Sequence, residues 1–278
     1  MQLPLRFLAA LLAATLSSAT LADYKAPRGP GGKHPDLNGY WQALSTAHFD
    51  LERHMARASI ELRDGPRGPV PSKGTVAMGT VAAVPPGLGV VEGGKIPYTP
   101  AALTRRNENR ANWLERDPEI KCYLPGVPRA TYMPYPFQII QGDKDIFIAY
   151  QYAQAVRNIY SEEPGPAPID SWMGQSVASW DGDTLVLDVT GLHPDTWLDR
   201  AGNHHSEQLH VIERYTPMGP NHLHYEATIE DPQVYTRPWK ISMPLYRRME
   251  ADFQLLDFKC VEFVEELLYG DFRRNPLD

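Results

Sequence analysis

The sequence predicts a mainly β protein: an antiparallel barrel preceded by an N-terminal helical and extended segment. After Cys122 the chain breaks into nine short runs rich in β-branched and aromatic residues, separated by turn residues. Such a series belongs to a barrel or a sandwich, and closure into a barrel hides the strand edges that an open sheet would expose. Before Cys122 the pattern is different, first helical in period and then dominated by Gly and Pro.

The chain opens with a basic residue, Arg6, an apolar run from Phe7 to Ala14 and small residues at Thr20-Leu21-Ala22. That order predicts a secretory signal peptide over residues 1–22, since the apolar run is too short to span a bilayer. Residues 23–98 then form the N-terminal segment. Leu44, Ala47, Leu51, Met55, Ala58 and Leu62 recur at three- and four-residue spacing, which predicts an amphipathic helix. From Asp64 to Pro97, repeated Gly and Pro forbid a long helix and predict an arm that wraps extended over another surface. Thr99-Pro100 reads as an N-cap followed by proline at the first helical position, for a helix ending near Arg116 ahead of Asp117-Pro118.

The barrel domain is expected over residues 99–278. Its strands are "PFQIIQ", "DIFIAYQY", "AVRNIYS", "SVASW", "DTLVLDVTG", "LHVIERY", "HLHYEATIED", "WKISMPLYRR" and "DFQLLDFKCVEF". Asp181-Gly182 between two of them is a hairpin signal. The two cysteines, Cys122 and Cys260, are expected to form a disulfide in an oxidising compartment, tying the start of the barrel domain to its last strand.

Composition narrows the function. A formal charge of −7 without a Lys/Arg cluster argues against nucleic acid and anionic membrane surfaces. No later stretch is apolar enough for an integral membrane segment, so the mature protein is expected to be soluble and periplasmic or secreted. Glycine-rich phosphate loops, dinucleotide fingerprints and the Gly-x-Ser-x-Gly elbow do not occur. No cofactor is expected.

The densest cluster of functional residue types lies in "TWLDRAGNHHSEQLHVIERY", residues 196–215, followed by His222 and His224. Strand alternation puts Leu209, Val211, Glu213 and Tyr215 on one face, and His210, Ile212 and Arg214 on the other. Leu223, Tyr225, Ala227 and Ile229 form the matching apolar face of the next strand. His210, His222, His224 and Glu226 then fall on the polar outer wall, with His210 expected opposite Glu226. Glu213 points into the barrel, where a carboxylate must be paired, neutral or functional; a structural pair with an arginine is the plain alternative. Asp199, His204 and His205 lie on the preceding loop, free to turn toward the barrel mouth. His222 and His224 have His-x-His spacing and His210 could join them, yet HEXXH is absent and the three face solvent, so no metal is expected.

"DPEIKCYLPGVPRATYMPYPFQII", "WDGDTLVLDVTG", "TWLDRAGNHHSEQLHVIERY" and "IEDPQVYTRPW" together resemble a large family of exported bacterial proteins. The resemblance covers roughly Pro97 to Val264, with a weaker match at "PDLNGYWQ". It implies a lipocalin-like barrel but supplies no reaction. His205, rather than His204, falls where that family has its histidine.

These readings combine into an expected function. An exported barrel enzyme would do lyase, isomerase or hydrolase chemistry on a small, partly hydrophobic molecule. Asp199, His205 and Glu213 would move protons. Arg129 and Tyr132, in the proline-stiffened stretch after Cys122, would orient or polarise the substrate. The alternative is a carrier whose cup, lined by Trp197, Tyr215, Tyr225 and Trp239, holds a hydrophobic ligand without turnover. A third reading, an envelope interaction module, would place its contact surface on the arm. Convergence of Asp199, His205 and Glu213 on one cavity separates enzyme from carrier.

Overall fold

A computed structural model describes residues 24–56, 62–71 and 85–264, together with 266, 267 and 270. The expected signal peptide, residues 57–61 of the expected helix and residues 72–84 of the arm lie outside the described residues. The chain is mainly β. In order it forms β1 (Gly39–Ala43), β2 (Leu62–Arg63), β3 (Val70–Pro71), α1 (Pro100–Ala111), α2 (Trp113–Arg116), α3 (Arg129–Tyr132), β4 (Phe137–Gln141), β5 (Ile146–Tyr150) and β6 (Val156–Tyr160). Then come β7 (Gln175–Asp181), β8 (Thr184–Thr190), β9 (His210–Gly219), β10 (His222–Glu230) and β11 (Trp239–Arg247).

Nine of these strands close a barrel in the order β1, β11, β10, β9, β8, β7, β6, β5, β4, with β1 joined to both β11 and β4. The barrel is mixed rather than purely antiparallel, because β6 and β7 run parallel through Ile159–Ser176 and Tyr160–Val177. The connection between them, residues 161–174, carries Pro164, Pro166 and Pro168. It makes no tight hairpin but crosses back to the end from which β6 started, which a parallel pair requires.

Three expectations for the ends of the chain differ from the structure. β1 comes from "GYWQA", inside the segment assigned to the N-terminal arm, so the barrel draws on both sides of the 98/99 boundary. Residues 44–56 do not form the expected helix. Their backbone donors go elsewhere: Leu51 N–H to Asp199, Glu52 N–H to Asp50, and His54 N–H to Gly87. The run "DFQLLDFKCVEF" is likewise not a strand. With β1 seated between β11 and β4, the barrel offers that run no free edge. It lies outside instead, with Phe258 against Tyr135 and Tyr152, held by the expected Cys122–Cys260 disulfide.

Local signals in the middle of the chain match the structure. Thr99 caps α1 by accepting from Ala102 N–H at 3.3 Å, and Pro100 fills the first helical position. Helical structure breaks at Asn112, resumes in α2 and stops at Asp117, ahead of Pro118. Gly182 takes φ +60° in the β7–β8 turn, which an L side chain would resist. β9 and β10 alternate as the apolar pattern requires, with Val211, Glu213, Tyr215, Leu223, Tyr225, Ala227 and Ile229 all buried.

Candidate functional site

The barrel interior is packed. Trp41, Phe137, Leu185, Leu187, Tyr215, Tyr225 and Trp239 are buried there, and Tyr132 of α3 is also fully covered. Glu213 sits in the packed interior with no exposed surface. Its Oε2 accepts from Arg157 Nη2 at 2.7 Å, while Oε1 accepts from the hydroxyls of Tyr225 at 2.7 Å, Tyr215 at 3.1 Å and Thr131 at 3.4 Å. Arg157 also donates to Ser176 Oγ at 2.7 Å and Tyr150 Oη at 3.1 Å. Burial, followed by the Glu213 charge, pushes the hydroxyls of Tyr215 and Tyr225 well above the usual phenol range, so they remain donors. The Glu–Arg alternative is thus the one observed. A buried ion pair tolerates its desolvation only when its remaining donors and acceptors are met, and here they are.

Arg157 was not singled out from the sequence. Its signal was its place in "AVRNIYS": an arginine sharing the inward face of β6 with Ile159, available to answer an inward glutamate.

Asp199 is also fully buried, but in a different network. Its carboxylate accepts from the N–H groups of Leu51 at 2.8 Å, Ala201 at 2.9 Å and Asn203 at 3.3 Å, and from Asn203 Nδ2 at 2.5 Å. Burial, then the Asp50 carboxylate, push its pKa up to about 7 against the pull of Leu51 N–H and Asn203. The side chain therefore staples loop 198–203 to the segment after β1.

His205 forms a third network. Its Nδ1 lies 2.8 Å from the Ser206 carbonyl, an acceptor only, so Nδ1 carries the proton and Nε2 accepts from Thr196 Oγ1 at 2.6 Å. Burial outweighs the Ser206 carbonyl and the Asp231 charge and lowers its pKa, leaving the ring neutral near pH 7. Asp199, His205 and Glu213 are not hydrogen-bonded to one another.

The other expected residues have partners of their own. Arg129 Nη2 donates to Glu119 at 2.6 Å, with Asp117 at 4.0 Å from Nη1. Tyr132 donates to the Leu198 carbonyl at 2.6 Å. Trp239 packs edge-on against Tyr235, although its buried Nε1 has no hydrogen-bond partner among the described residues. His48, which sequence reasoning passed over, joins the Arg129 cluster through Nε2, 3.3 Å from Glu119. It sits in the segment misread as helix.

His210, His222 and His224 lie on the outer wall as expected. The register differs, however: His210 opposes Glu230, and Glu226 opposes Arg214. His210 meets Asp188 at 3.0 Å and Glu230 at 3.5 Å. Among the described residues, no group of three His, Cys, Asp or Glu side chains could hold a metal ion.

Open space lies beside the barrel, between α1 and the loop from Pro194 to His205. A cleft of about 600 Å³ is lined by Arg105, Arg116, Lys121, Pro194, Trp197 and His204, among others. It adjoins a second of about 390 Å³ that shares Arg105, Pro194, Asp195 and His204 and adds His205 and Glu207. Gly202 (φ +85°) lets the loop come this close, since a Cβ there would lie 2.9 Å from the Arg106 carbonyl. Asn109 Nδ2 reaches the Gly202 carbonyl at 3.3 Å and completes the contact.

His204 is the least committed polar side chain in this wall. It pairs with Trp197 across a short bridge, Tyr235 donates to its carbonyl at 2.7 Å, and Tyr98 stacks 6.0 Å from its ring. The ring itself is buried, and its Nδ1 has no hydrogen-bond partner. Burial, then the Arg105 charge, lower its pKa to about 4, so the imidazole is neutral near pH 7. A buried, unpaired ring nitrogen is costly unless a water or a ligand meets it. Of the residues expected from the sequence, only Trp197 and His205 line the clefts.

No family model matches the chain, and neither a curated protein nor a solved structure matches it.

Proposed function

We propose that the protein is exported and works on a small, partly apolar molecule held in the rim cleft rather than in the barrel. His204 would be the group that accepts or returns a proton there. The observation that carries this reading is the buried His204 Nδ1, without a partner, in the wall of an open cleft. A neutral imidazole with an uncommitted nitrogen is the usual equipment of a general base, and the chemistry it serves is lyase, isomerase or hydrolase in type.

Several features support the setting. The Cys122–Cys260 disulfide fits an oxidising compartment, and no helix among the described residues is long and apolar enough to cross a membrane. Membership of the exported lipocalin-like family belongs to the same proposal. Binding without turnover is the second reading. It is favoured by one observation: Asp199, His205 and Glu213 occupy separate networks and offer no shared catalytic centre.

A thermal-shift screen of small organic acids, alcohols and amides tests the location. Stabilising compounds should lose their effect in His204→Ala and keep it in Tyr225→Phe, which alters only the barrel interior. The reverse pattern would place the ligand in the barrel and end this reading.

A further inference from the structure

Arg105 is set apart from its neighbours. Arg106 lies 3.7 Å from Glu52, Arg110 3.9 Å from Asp50 and Arg116 3.3 Å from Glu108. Among the described residues, no carboxylate reaches Arg105 within ion-pair distance. Four acids line the cleft: Glu108 lies 3.3 Å from Arg116, Asp195 3.9 Å from His193, Glu207 accepts from Gln233 at 3.3 Å, and Glu115 has no ion pair among the described residues. Yet Arg105 lines both parts of the cleft, and its charge reaches the His204 ring. Beside the unpartnered His204 nitrogen the cleft thus holds the Arg105 guanidinium without a carboxylate, while the other unpaired cation in its lining, Lys121, sits over the Tyr123 ring.

We infer that the cleft receives its ligand through a carboxylate lying across Arg105 and His204 Nδ1; this rests on the rim-cleft reading above. A planar guanidinium presents two parallel donors that match the two oxygens of a carboxylate. Pro194 and Ala101 offer apolar surface to the rest of the ligand. A phosphate could use the same cation, but a flat carboxylate with an aromatic or aliphatic body also uses that wall.

The protonation logic follows from the groups that face His204. Arg105 from α1 and the adjacent His205 disfavour its charged form, while the Gly202 backbone and then Asp231, from the β10–β11 connection, favour it. Tyr98, stacked on the ring, is neutral, its hydroxyl pushed well above the usual phenol range by burial and Asp199. A bound carboxylate adds a negative charge beside the ring and offsets Arg105. His204 then takes up a proton as the ligand binds, and affinity rises as pH falls from about 7 toward 5.

The test uses the full chain carrying labelled histidines, followed by NMR during titration with sodium benzoate and, separately, with benzamide as the neutral isostere. Benzoate should shift the His204 ring signals, raise the pKa of that ring and bind roughly tenfold more tightly than benzamide. Arg105→Ala, an exposed position whose spectrum should otherwise match the wild type, should lose about tenfold in benzoate affinity. Equal binding of benzamide at His204, or full benzoate affinity in Arg105→Ala, would overturn the carboxylate inference and leave the rim cleft standing. If neither probe perturbs His204 or α1, the rim-cleft reading falls with it.

Discussion

Arg157 Nη2 and Glu213 Oε2 meet at 2.7 Å inside the barrel, each with almost no exposed surface. The pair comes from β6 and β9, strands that are not neighbours in the sheet, so it spans the interior. Removing one partner leaves a buried charge alone. Arg157→Met or Glu213→Gln should each lower stability by about 3–5 kcal/mol, whereas the double Arg157→Met/Glu213→Leu should lose less than either single change. Chemical denaturation of the three variants checks this; additive losses would contradict it.

Alternation in "LHVIERY" places Glu213 inside and His210 outside, because an odd slip would turn Val211 and Tyr215 to water. An even slip keeps every face, so alternation alone cannot distinguish Glu226 from Glu230 opposite His210. The tight turn at Pro220-Asn221 pairs His222 with Gly219, and a register shift before Leu223, which pairs with Pro217, then brings Glu230 opposite His210. Periodicity misled in residues 44–56, where helical spacing is present but Asp199 and Gly87, far along the chain, claim the backbone donors. The cleft was less legible still. One wall of it is α1, where Arg105 looks like any solvated residue until the loop is folded against it.

Asp199 carries a pH signature. Its pKa rises from 3.8 to about 7 on folding, so its contribution to stability is full below about pH 3.8 and is lost as pH climbs through 7. Asp50→Asn removes a neighbouring charge that raises this value. Carboxyl NMR should show Asp199 titrating at lower pH in that variant; an unchanged midpoint would contradict the assignment.

His205 has the opposite sign. Its ring is kept neutral by burial, so its contribution is present above its unfolded pKa of about 6.5 and is lost as pH falls below that value. His205→Ala leaves Thr196 Oγ1 and the Ser206 carbonyl without this partner, and should cost about 1–3 kcal/mol. His222, exposed beside Tyr246, should change stability by less than about 0.5 kcal/mol when replaced by Ala. Thermal melts of the two variants across pH separate these cases; equal losses would sink the distinction.

The Cys122–Cys260 disulfide closes a long loop, with 138 residues of separation, and anchors the C-terminal run that has no place in the barrel. Replacing both cysteines by Ser should lower stability by about 2–4 kcal/mol. It should also raise hydrogen exchange in residues 252–263 while β9 and β10 stay protected. Loss of protection in the barrel strands instead would mean that the link supports the barrel itself.

The central claim is that small molecules bind at the rim cleft and not in the barrel. Crystals of the protein soaked with small aromatic carboxylates test it most directly. The account predicts ligand density between α1 and the Pro194–His205 loop, with a carboxylate against Arg105 and His204 and the Glu213–Arg157 pair undisturbed. Density inside the barrel, displacing Tyr215 or Tyr225 from Glu213, would contradict it.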